Sequence, residues 1–238
     1  MIFESKGIVF RNQKYKESSV ILDVYTEKHG LLTFIINGVR KAKSKIAPSA
    51  VQLMSLIEIN AYYKEERSLQ KIKDIRTDLI YKSLPFEVVK ASVGTFMVEV
   101  ARKCVKEQAP NPELFDFLYK SFAGLDALEA GLSIYHLNYL VDLAHYLGIL
   151  PFFDPEDVKG LYFDMLEGDF YDRPMAHGQY MKPEEANLFL RGLTGIKERD
   201  MNVVERRLFI RLMLRYYSIH IPNMGQINSH EILETVLS

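Results

Sequence analysis

The amino-acid sequence predicts an α+β protein in which a small five-stranded barrel is followed by an all-helical domain. Residues 1–78 are rich in Ile, Val, Phe and Tyr, and turn and charge signals divide them into short segments typical of strands. After Asp78 the apolar residues recur at helical spacing instead. We therefore expect two domains, one spanning residues 1–78 and the other spanning residues 79–238.

The first domain contains five candidate strands, at residues 7–11, 19–25, 31–37, 51–62 and 68–75. Five short strands in such a short segment suggest a small closed barrel, and the five-stranded OB-fold is the common type. Periodicity alone does not separate an OB-fold from an SH3-like barrel. We expect the OB-fold.

The second domain contains candidate helices at residues 85–106, from 112 onward, and at 132–147, 183–193, 203–217 and 229–237. Asn111 followed by Pro112 is a capping residue with proline at the first helical position. The segment 132–147 is apolar nearly all round, which predicts a central buried helix. Residues from about 152 to 182 form an irregular insert without cysteine, in which a short strand pair at 160–163 and 169–171 is suggested.

Composition limits the class of protein. The single cysteine, Cys104, excludes an internal disulfide and any multi-cysteine zinc site, and it is interpreted as a small buried hydrophobic residue. The sequence lacks an apolar run long enough to span a membrane and a secretory signal pattern, so we expect a cytoplasmic protein with no membrane partner. The net charge of −1 hides an asymmetry, since residues 1–78 carry +5 and the remainder −6. This split predicts a basic module joined to a mildly acidic one.

A cluster of cations follows Gly38, between the third and fourth candidate strands. It consists of Arg40, Lys41, Lys43 and Lys45. Four like charges this close repel each other unless an anion lies among them, and a loop between strands is a usual place for a binding surface. A solvated surface loop is the alternative. We interpret the cluster as a contact for a phosphate backbone.

Further cations surround the turn after the first strand, namely Arg11, Lys14 and Lys16. Cations that follow a backbone, together with aromatic rings on which bases stack, are typical of sequence-tolerant binding of single strands. Tyr15, in a polar turn, is the candidate for stacking. Phe10 and Phe34 are expected in the barrel core.

A second basic feature lies on the helix at 203–217, where Arg207, Arg211 and Arg215 share one face. This face could bind an acidic peptide or extend the DNA contact. The alternative is the charged side of an amphipathic helix, with the arginine stems lying over the core.

The sequence contains no phosphate-binding loop, nucleophile elbow or zinc helix motif. Asp142 and His145 lie three residues apart on one helix face, but such a pair is more often a satisfied polar contact than part of a metal site. A metal hydrolase built on this pair and the acidic segment 154–172 is the enzymatic alternative. We expect no catalysis, no cofactor and no metal.

Several motifs together resemble the bacterial recombination protein O (RecO) family of DNA repair proteins. Residues 6–9 read Lys-Gly-Ile-Val, residues 15–19 read Tyr-Lys-Glu-Ser-Ser, residues 25–31 read Tyr-Thr-Glu-Lys-His-Gly-Leu, and residues 38–45 read Gly-Val-Arg-Lys-Ala-Lys-Ser-Lys. In the second domain, Pro-Asn-Pro-Glu-Leu-Phe at 110–115 and Leu-Gly-Ile-Leu-Pro at 147–151 also match. The resemblance is dense in residues 6–45 and sparse after 152. Its fold, an OB barrel packed on a helical domain, agrees with the pattern of strands and helices.

The resemblance implies a recombination mediator. Such a protein binds single- and double-stranded DNA, anneals complementary strands, and works with RecR and the C-terminal tail of single-strand binding protein to load the recombinase RecA; it would be associated with the nucleoid. The family's basic loop residues correspond here to Arg40, Lys41, Lys43 and Lys45, whereas Arg11, Lys14 and Lys16 are inferred from charge and position. Many members carry a four-cysteine zinc module after the Leu-Gly-x-Leu-Pro segment, but residues 152–174 contain no cysteine. We therefore expect no zinc and an insert held by its aromatic residues. The alternative function is a generic single-strand binding module without mediator activity.

Overall fold

The computed structural model describes residues 1–39, 46–154, 158 and 160–237. The chain divides into two compact units, which span residues 1–128 and 129–238. Each unit is described by itself below.

The first unit begins with a closed five-stranded barrel. Its strands are β1 (Ile2–Lys14), β2 (Val20–Thr26), β3 (Gly30–Ile36), β4 (Leu56–Tyr62) and β5 (Gln70–Leu79), in the order β1-β2-β3-β5-β4. Neighbouring strands are antiparallel except β3 and β5, which are parallel. The five strands of the prediction are therefore confirmed. The fourth begins later than residue 51, because Pro48–Val51 forms a 3-10 turn that Pro48 opens at its first position.

The barrel core follows the two-residue period of its strands. In β3 the side chains of Leu32, Phe34 and Ile36 are buried, while those between them are half-buried on the outer face. Phe10 is also buried, at a shift of register between Val9 and Arg11. The predicted place of Phe34 in the barrel core is thus confirmed. Phe10 is buried but lies outside the barrel core cluster and stacks on Tyr25 at 5.5 Å, so its predicted core position is wrong.

Two helices complete the first unit, α1 (Val88–Cys104) and α2 (Pro112–Ala127), and α1 packs against β1. The compact unit thus extends well past residue 78, which marks only the change from strand to helix. Asn111 caps α2 as predicted, since its side-chain oxygen accepts a hydrogen bond from the backbone N–H of Leu114 at 3.1 Å. Cys104 is buried, and burial raises the pKa of its thiol to about 12, as expected for an unreactive residue.

The connection from β5 to α1 is held by one carboxylate on α2. Asp126 accepts hydrogen bonds from the backbone N–H groups of Lys82, Ser83 and Leu84 at 2.7–3.0 Å. The ammonium group of Lys90, a residue only 7% exposed, donates to the Ser83 hydroxyl at 2.7 Å and to the Asp126 carbonyl at 3.1 Å. A buried cation and three backbone donors therefore converge on the end of α2, which fixes the first helix against the second.

The second unit contains four helices and a small sheet within the described residues. The helices are α3 (Leu132–Tyr146), α4 (Pro183–Leu193), α5 (Val203–His220) and α6 (Ser229–Val236); the strands are β6 (Tyr162–Asp164), β7 (Asp169–Tyr171) and β8 (Tyr180–Met181), in the order β7-β6-β8. The expectation of an all-helical domain is therefore corrected by this sheet. The suggested strand pair is present, but β8 is only two residues long, too short to give an alternating pattern.

The cysteine-free insert is built around aromatic rings and one aspartate–histidine contact. The ring of Phe163 lies 4.8–5.7 Å from those of Phe170, Phe189 and Tyr216. The carboxylate of Asp164 lies 3.0 Å from the His177 ring. Packing of aromatics therefore holds the sheet, as the sequence predicted. Among the residues that the structure describes, no three His, Cys, Asp or Glu side chains group as a metal site.

Helix α3 is buried on one side only. Leu137, Leu140 and Leu143 are in the core, whereas Asp142 and His145 are exposed. The prediction that α3 is surrounded by protein is therefore wrong, and the Asp142–His145 pair is not a polar contact within the core. Apolar residues such as Tyr146 remain partly exposed on this helix, which is why the sequence looked uniformly apolar.

His136 lies on the buried side of α3 and makes the second unit sensitive to acid. Burial, assisted by the nearby Arg206 charge, lowers the pKa of His136 to about 4 from the ordinary value of 6.5. The unfolded chain therefore binds the proton first, so stability is full above pH 6.5 and is lost as the pH falls toward 4. Between pH 7 and pH 5 we expect the free energy of unfolding to drop by roughly 2 kcal/mol from this group alone. Urea denaturation of wild type and H136Q at both pH values measures this drop, and H145Q, an exposed histidine on the same helix, should retain it.

Candidate nucleic-acid interface

The hairpin that joins β1 to β2 presents three of the predicted side chains at one end of the barrel. Lys14 ends β1 opposite Val20, and the backbone N–H of Tyr15 donates to the carbonyl of Ser19 at 3.0 Å, which closes the turn. The side chains of Lys14, Tyr15 and Lys16 are exposed. We call these three residues the hairpin tip.

The connection that leads from β3 toward the predicted basic cluster starts beside the hairpin tip. Val20 pairs with Lys14 on one side and with Ile36, the last residue of β3, on the other. The Ser19 hydroxyl also donates to the side-chain oxygen of Asn37 at 2.9 Å. The connection that leaves β3 therefore begins at the same barrel end as the hairpin tip.

The cluster itself, Arg40, Lys41, Lys43 and Lys45, lies outside the described residues. Its flanks are described. Gly38 has a φ of +77°, as expected for a bend that glycine adopts without steric cost. Val39 on one side of the cluster belongs to the barrel core, and Ile46 on the other packs against the same core. The residues on both sides of segment 40–45, which we call the basic segment, thus pack on the barrel core.

Among the aromatic residues near these cations, Tyr15 is the one on the surface. It is 51% exposed, and the ammonium group of Lys16 lies 5.6 Å from the centre of its ring. Tyr25 is buried and stacked on Phe10 at 5.5 Å, and burial raises its pKa to about 12. Of these three rings, only that of Tyr15 is accessible to a nucleobase.

Arg11 differs from the other predicted cations because it is already paired. Its guanidinium donates to both carboxylate oxygens of Asp23, at 2.6 and 3.1 Å, and the hydroxyl of Thr33 donates to the same carboxylate at 2.9 Å. The hydrogen bond to Asp23 raises the pKa of Arg11. A bidentate partner removes most of its net charge from the surface. A contribution of Arg11 to an anion-binding surface remains a prediction. The pairing with Asp23 weakens it, because Arg11 then presents less net positive charge to an anion.

The three arginines of α5 also make contacts within their own unit. Arg207 donates to the backbone carbonyl of Glu234 at 2.6 Å, and Arg211 lies 3.8 Å from the carboxylate of that residue. Arg215 donates to the side chain of Gln179 at 3.0 Å. These contacts favour the structural alternative, in which the arginines hold α6 and the loop before β8.

Sequence reasoning missed Asp23 as the partner of Arg11. Both residues occur in predicted strands, and an acid in the strand next to a basic one is a weak signal of pairing. The pairing depends on register, however, and the extra residue at Phe10 shifts the register just before Arg11. The sequence contains no marker for that shift.

The described residues define a class of protein in which a small closed barrel, with the exposed Lys14 and Lys16 at one end, is followed by helices. In the part of the chain that the structure describes, no helix is long and apolar enough to cross a membrane.

Comparison with known proteins names the family. Residues 1–78 match the family model "Recombination protein O N terminal", and residues 86–225 match "Recombination protein O C terminal". Among curated relatives, the DNA repair protein RecO of Phocaeicola vulgatus is 31% identical over the whole of both chains. The RecO proteins of Bacteroides fragilis and Flavobacterium johnsoniae are 30% and 29% identical, over 98% and 100% of each chain. The chain therefore belongs to the recombination protein O family, which assigns it to DNA repair and recombination.

Proposed function

We propose that this protein is a recombination mediator that binds single- and double-stranded DNA and anneals complementary strands. The observation that supports this best is that the hairpin tip and the start of the connection leading to the basic segment lie at the same barrel end. Cations grouped at one end can neutralise consecutive phosphates of one strand.

We also propose that the barrel is an OB-fold. The strand order β1-β2-β3-β5-β4, with β1 pairing to both β2 and β4, supports this choice over an SH3-like barrel. OB-folds commonly bind oligonucleotides, with loops between strands at the rim of the site.

Annealing of this kind needs electrostatic screening and no catalytic group. Two DNA strands repel each other through their phosphates, and a basic surface that holds both lowers this barrier. Contacts confined to phosphates leave the base edges free to pair. We therefore propose that the protein has no enzymatic activity and needs no metal or cofactor. Stoichiometric zinc in the purified protein would contradict the metal part of this proposal.

The test is annealing of two complementary fluorescent oligonucleotides, with and without the protein. We expect a several-fold faster rate at low salt and loss of the effect at high salt, because phosphate contacts weaken as salt rises. An unchanged rate at low salt would refute annealing. The generic single-strand binder, the second candidate, would bind one strand without accelerating pairing.

The mediator role adds partners to this activity. We propose RecR, the recombinase RecA and single-strand binding protein coating the DNA, at the nucleoid. Pull-down of RecR and of the C-terminal tail peptide of single-strand binding protein by the purified chain tests this. A chain that anneals DNA but captures neither partner is an annealing protein without mediator function.

We expect the ring of Tyr15 to contribute to DNA binding by stacking on a base. Stacking of a base on an aromatic ring contributes about 1–3 kcal/mol, so Y15A should weaken binding of an oligothymidylate about tenfold. Y15F keeps the ring and should bind like wild type. The slope of log affinity against log salt should be the same for all three proteins, since no phosphate contact is removed. Fluorescence anisotropy at several salt concentrations measures both quantities, and equal affinities of Y15A and Y15F would exclude stacking here.

A further inference from the structure

Two shallow depressions adjoin each other along the end of β1, within the first unit. The first has a volume of about 460 Å³ and lies where β1 meets the flanks of the basic segment; it is lined by Val20, Val39, Pro48 and Val51, with Lys14 at its edge. The second, about 450 Å³, lies between β1 and α1. Asn12 lines both, so the two depressions adjoin at this side chain, and we call the pair the trough.

The trough has an apolar floor, with Lys14 at one end and Arg102 at the other. Leu53 is partly exposed in the second depression, and the buried side chains of Phe10 and Val98 also line it. Arg102 borders it, as does Arg11, whose guanidinium is already paired with Asp23. Glu99 also borders it, but its carboxylate lies 3.6 Å from the ammonium group of Lys103. Between the two depressions, the Asn12 amide donates to the carbonyl of Val51 at 2.5 Å, which fixes its position.

This arrangement matches the two sides of a single DNA strand. Nucleobases are flat and largely apolar on their faces and carry hydrogen-bonding groups at their edges, whereas the phosphates are anionic. An apolar floor with one fixed amide suits the bases, and the cations at its two ends suit the phosphates. Because the trough begins at Lys14, it is continuous with the hairpin tip.

We propose that this trough, from Lys14 past Asn12 to Arg102, holds the unstacked bases of single-stranded DNA. The inference rests on the proposed function and adds a base-binding path to it. Bases of a duplex are paired and stacked inside the helix and cannot enter such a trough. The trough therefore binds single strands, while the hairpin tip and the basic segment contact phosphates of either form.

Photo-crosslinking locates the bases directly. An oligothymidylate carrying 4-thiothymidine is bound to the full chain, irradiated, and the crosslinked peptides are identified by mass spectrometry. We expect crosslinks in residues 10–14 and 95–102. Crosslinks found only elsewhere on a chain that binds the oligonucleotide would overturn the trough and leave the proposed function intact. A chain that binds no DNA at any salt would overturn both.

A pair of matched variants tests the energetic contribution. N12L fills the centre of the trough without changing charge, and N60L makes the same exchange on β4, opposite Glu4 and far from the trough. Affinity is measured for an oligothymidylate and for an abasic strand of equal length. We expect the preference for the strand with bases to fall about tenfold in N12L and to stay unchanged in N60L, with equal affinity for the abasic strand. An unchanged preference in N12L would contradict the proposal.

The salt dependence of binding by a variant at Arg102 is a third test. R102A should reduce the slope of log affinity against log salt by about 0.7 for a single strand, the value for one phosphate contact. K73A removes an exposed cation on β5, a strand that does not neighbour β1 in the barrel, and should leave the slope unchanged. Equal slopes in R102A and wild type would show that the strand does not reach α1.

Discussion

Reversing the four charges of the basic cluster should abolish the annealing activity and most of the binding to single-stranded DNA. The variant carries glutamate at Arg40, Lys41, Lys43 and Lys45. If each cation neutralises one phosphate, these four contribute about −2.8 to the slope of log affinity against log salt. Their share of the affinity then falls about 50-fold between 50 and 200 mM salt. The variant should therefore lose affinity chiefly at low salt and show a slope shallower by that amount.

The control must separate a local effect from the change in net charge. A second variant carries glutamate at four exposed cations elsewhere, namely Lys73, Lys120, Arg173 and Lys182. It has the same net charge as the first and repels DNA equally at long range. We expect it to keep the steep slope and most of the annealing rate. Fluorescence anisotropy with a labelled oligonucleotide between 50 and 300 mM salt compares the three proteins. Retention of wild-type affinity and slope by the cluster variant would remove the cluster from the DNA interface.

The salt-dependent strength of the phosphate contacts also explains how a surface that binds DNA can promote annealing of two strands. A surface that held DNA too tightly would trap single strands, since each strand must be released into the duplex. In the hairpin tip two cations and one ring are exposed, and Arg11 next to it is neutralised by Asp23. A moderate number of salt-sensitive contacts favours exchange of strands. Neutralisation of Arg11 fits this requirement, because it limits the charge that each strand encounters.

Much of the fold could be predicted because its signals are local. Pro183 opens α4 and Asn111 caps α2, so both helices begin where the sequence indicates. Strand β3 is bounded by Gly30 and Gly38, and its apolar residues alternate with the sheet. Local backbone chemistry fixes these boundaries without reference to the rest of the chain.

The features that escaped prediction depend on contacts distant in sequence. Asp126 on α2 binds the backbone at Lys82–Leu84, some forty residues earlier. Arg11 meets Asp23 only in the register that the irregularity at Phe10 creates. The trough beside Asn12 needs β1, the 3-10 turn and α1 to come together. Periodicity and composition describe single segments, so they carry no information on contacts between segments that are distant in sequence.

Removing the Asp126 carboxylate should produce a large loss of stability in the first unit. In D126A the backbone N–H groups of Lys82, Ser83 and Leu84 lose their acceptor. A hydrogen bond to a charged group contributes about 1.5–3 kcal/mol, and an unsatisfied buried donor adds a further cost. We expect the free energy of unfolding to fall by about 3 kcal/mol or more, equivalent to roughly 10 °C in melting temperature.

D116A is the matched control, because Asp116 is an exposed acid on the same helix whose carboxylate pairs with Lys120 at 2.6 Å. A surface pair of this spacing contributes about 0.3–0.5 kcal/mol, so the control should remain close to wild type. Urea denaturation at pH 7 compares the variants, and equal losses in both would show that Asp126 is no more than a surface acid.

The acid limb of the stability profile provides an independent check on the same carboxylate. Burial alone would raise the pKa of Asp126, but hydrogen bonds from Leu84, Lys82 and Ser83 outweigh it and lower the pKa below the ordinary value of 3.8. A lowered pKa in the folded state means that the stabilisation is complete above that ordinary value and is lost as the pH falls through the folded pKa. Wild type should therefore lose this contribution only in strong acid, and D126A should lack that part of the pH dependence.

Because the carboxylate acts on the connection between barrel and helices, D126A should still bind DNA at 20 °C while it remains folded. A variant that is folded but does not bind would instead tie Asp126 to the interface itself.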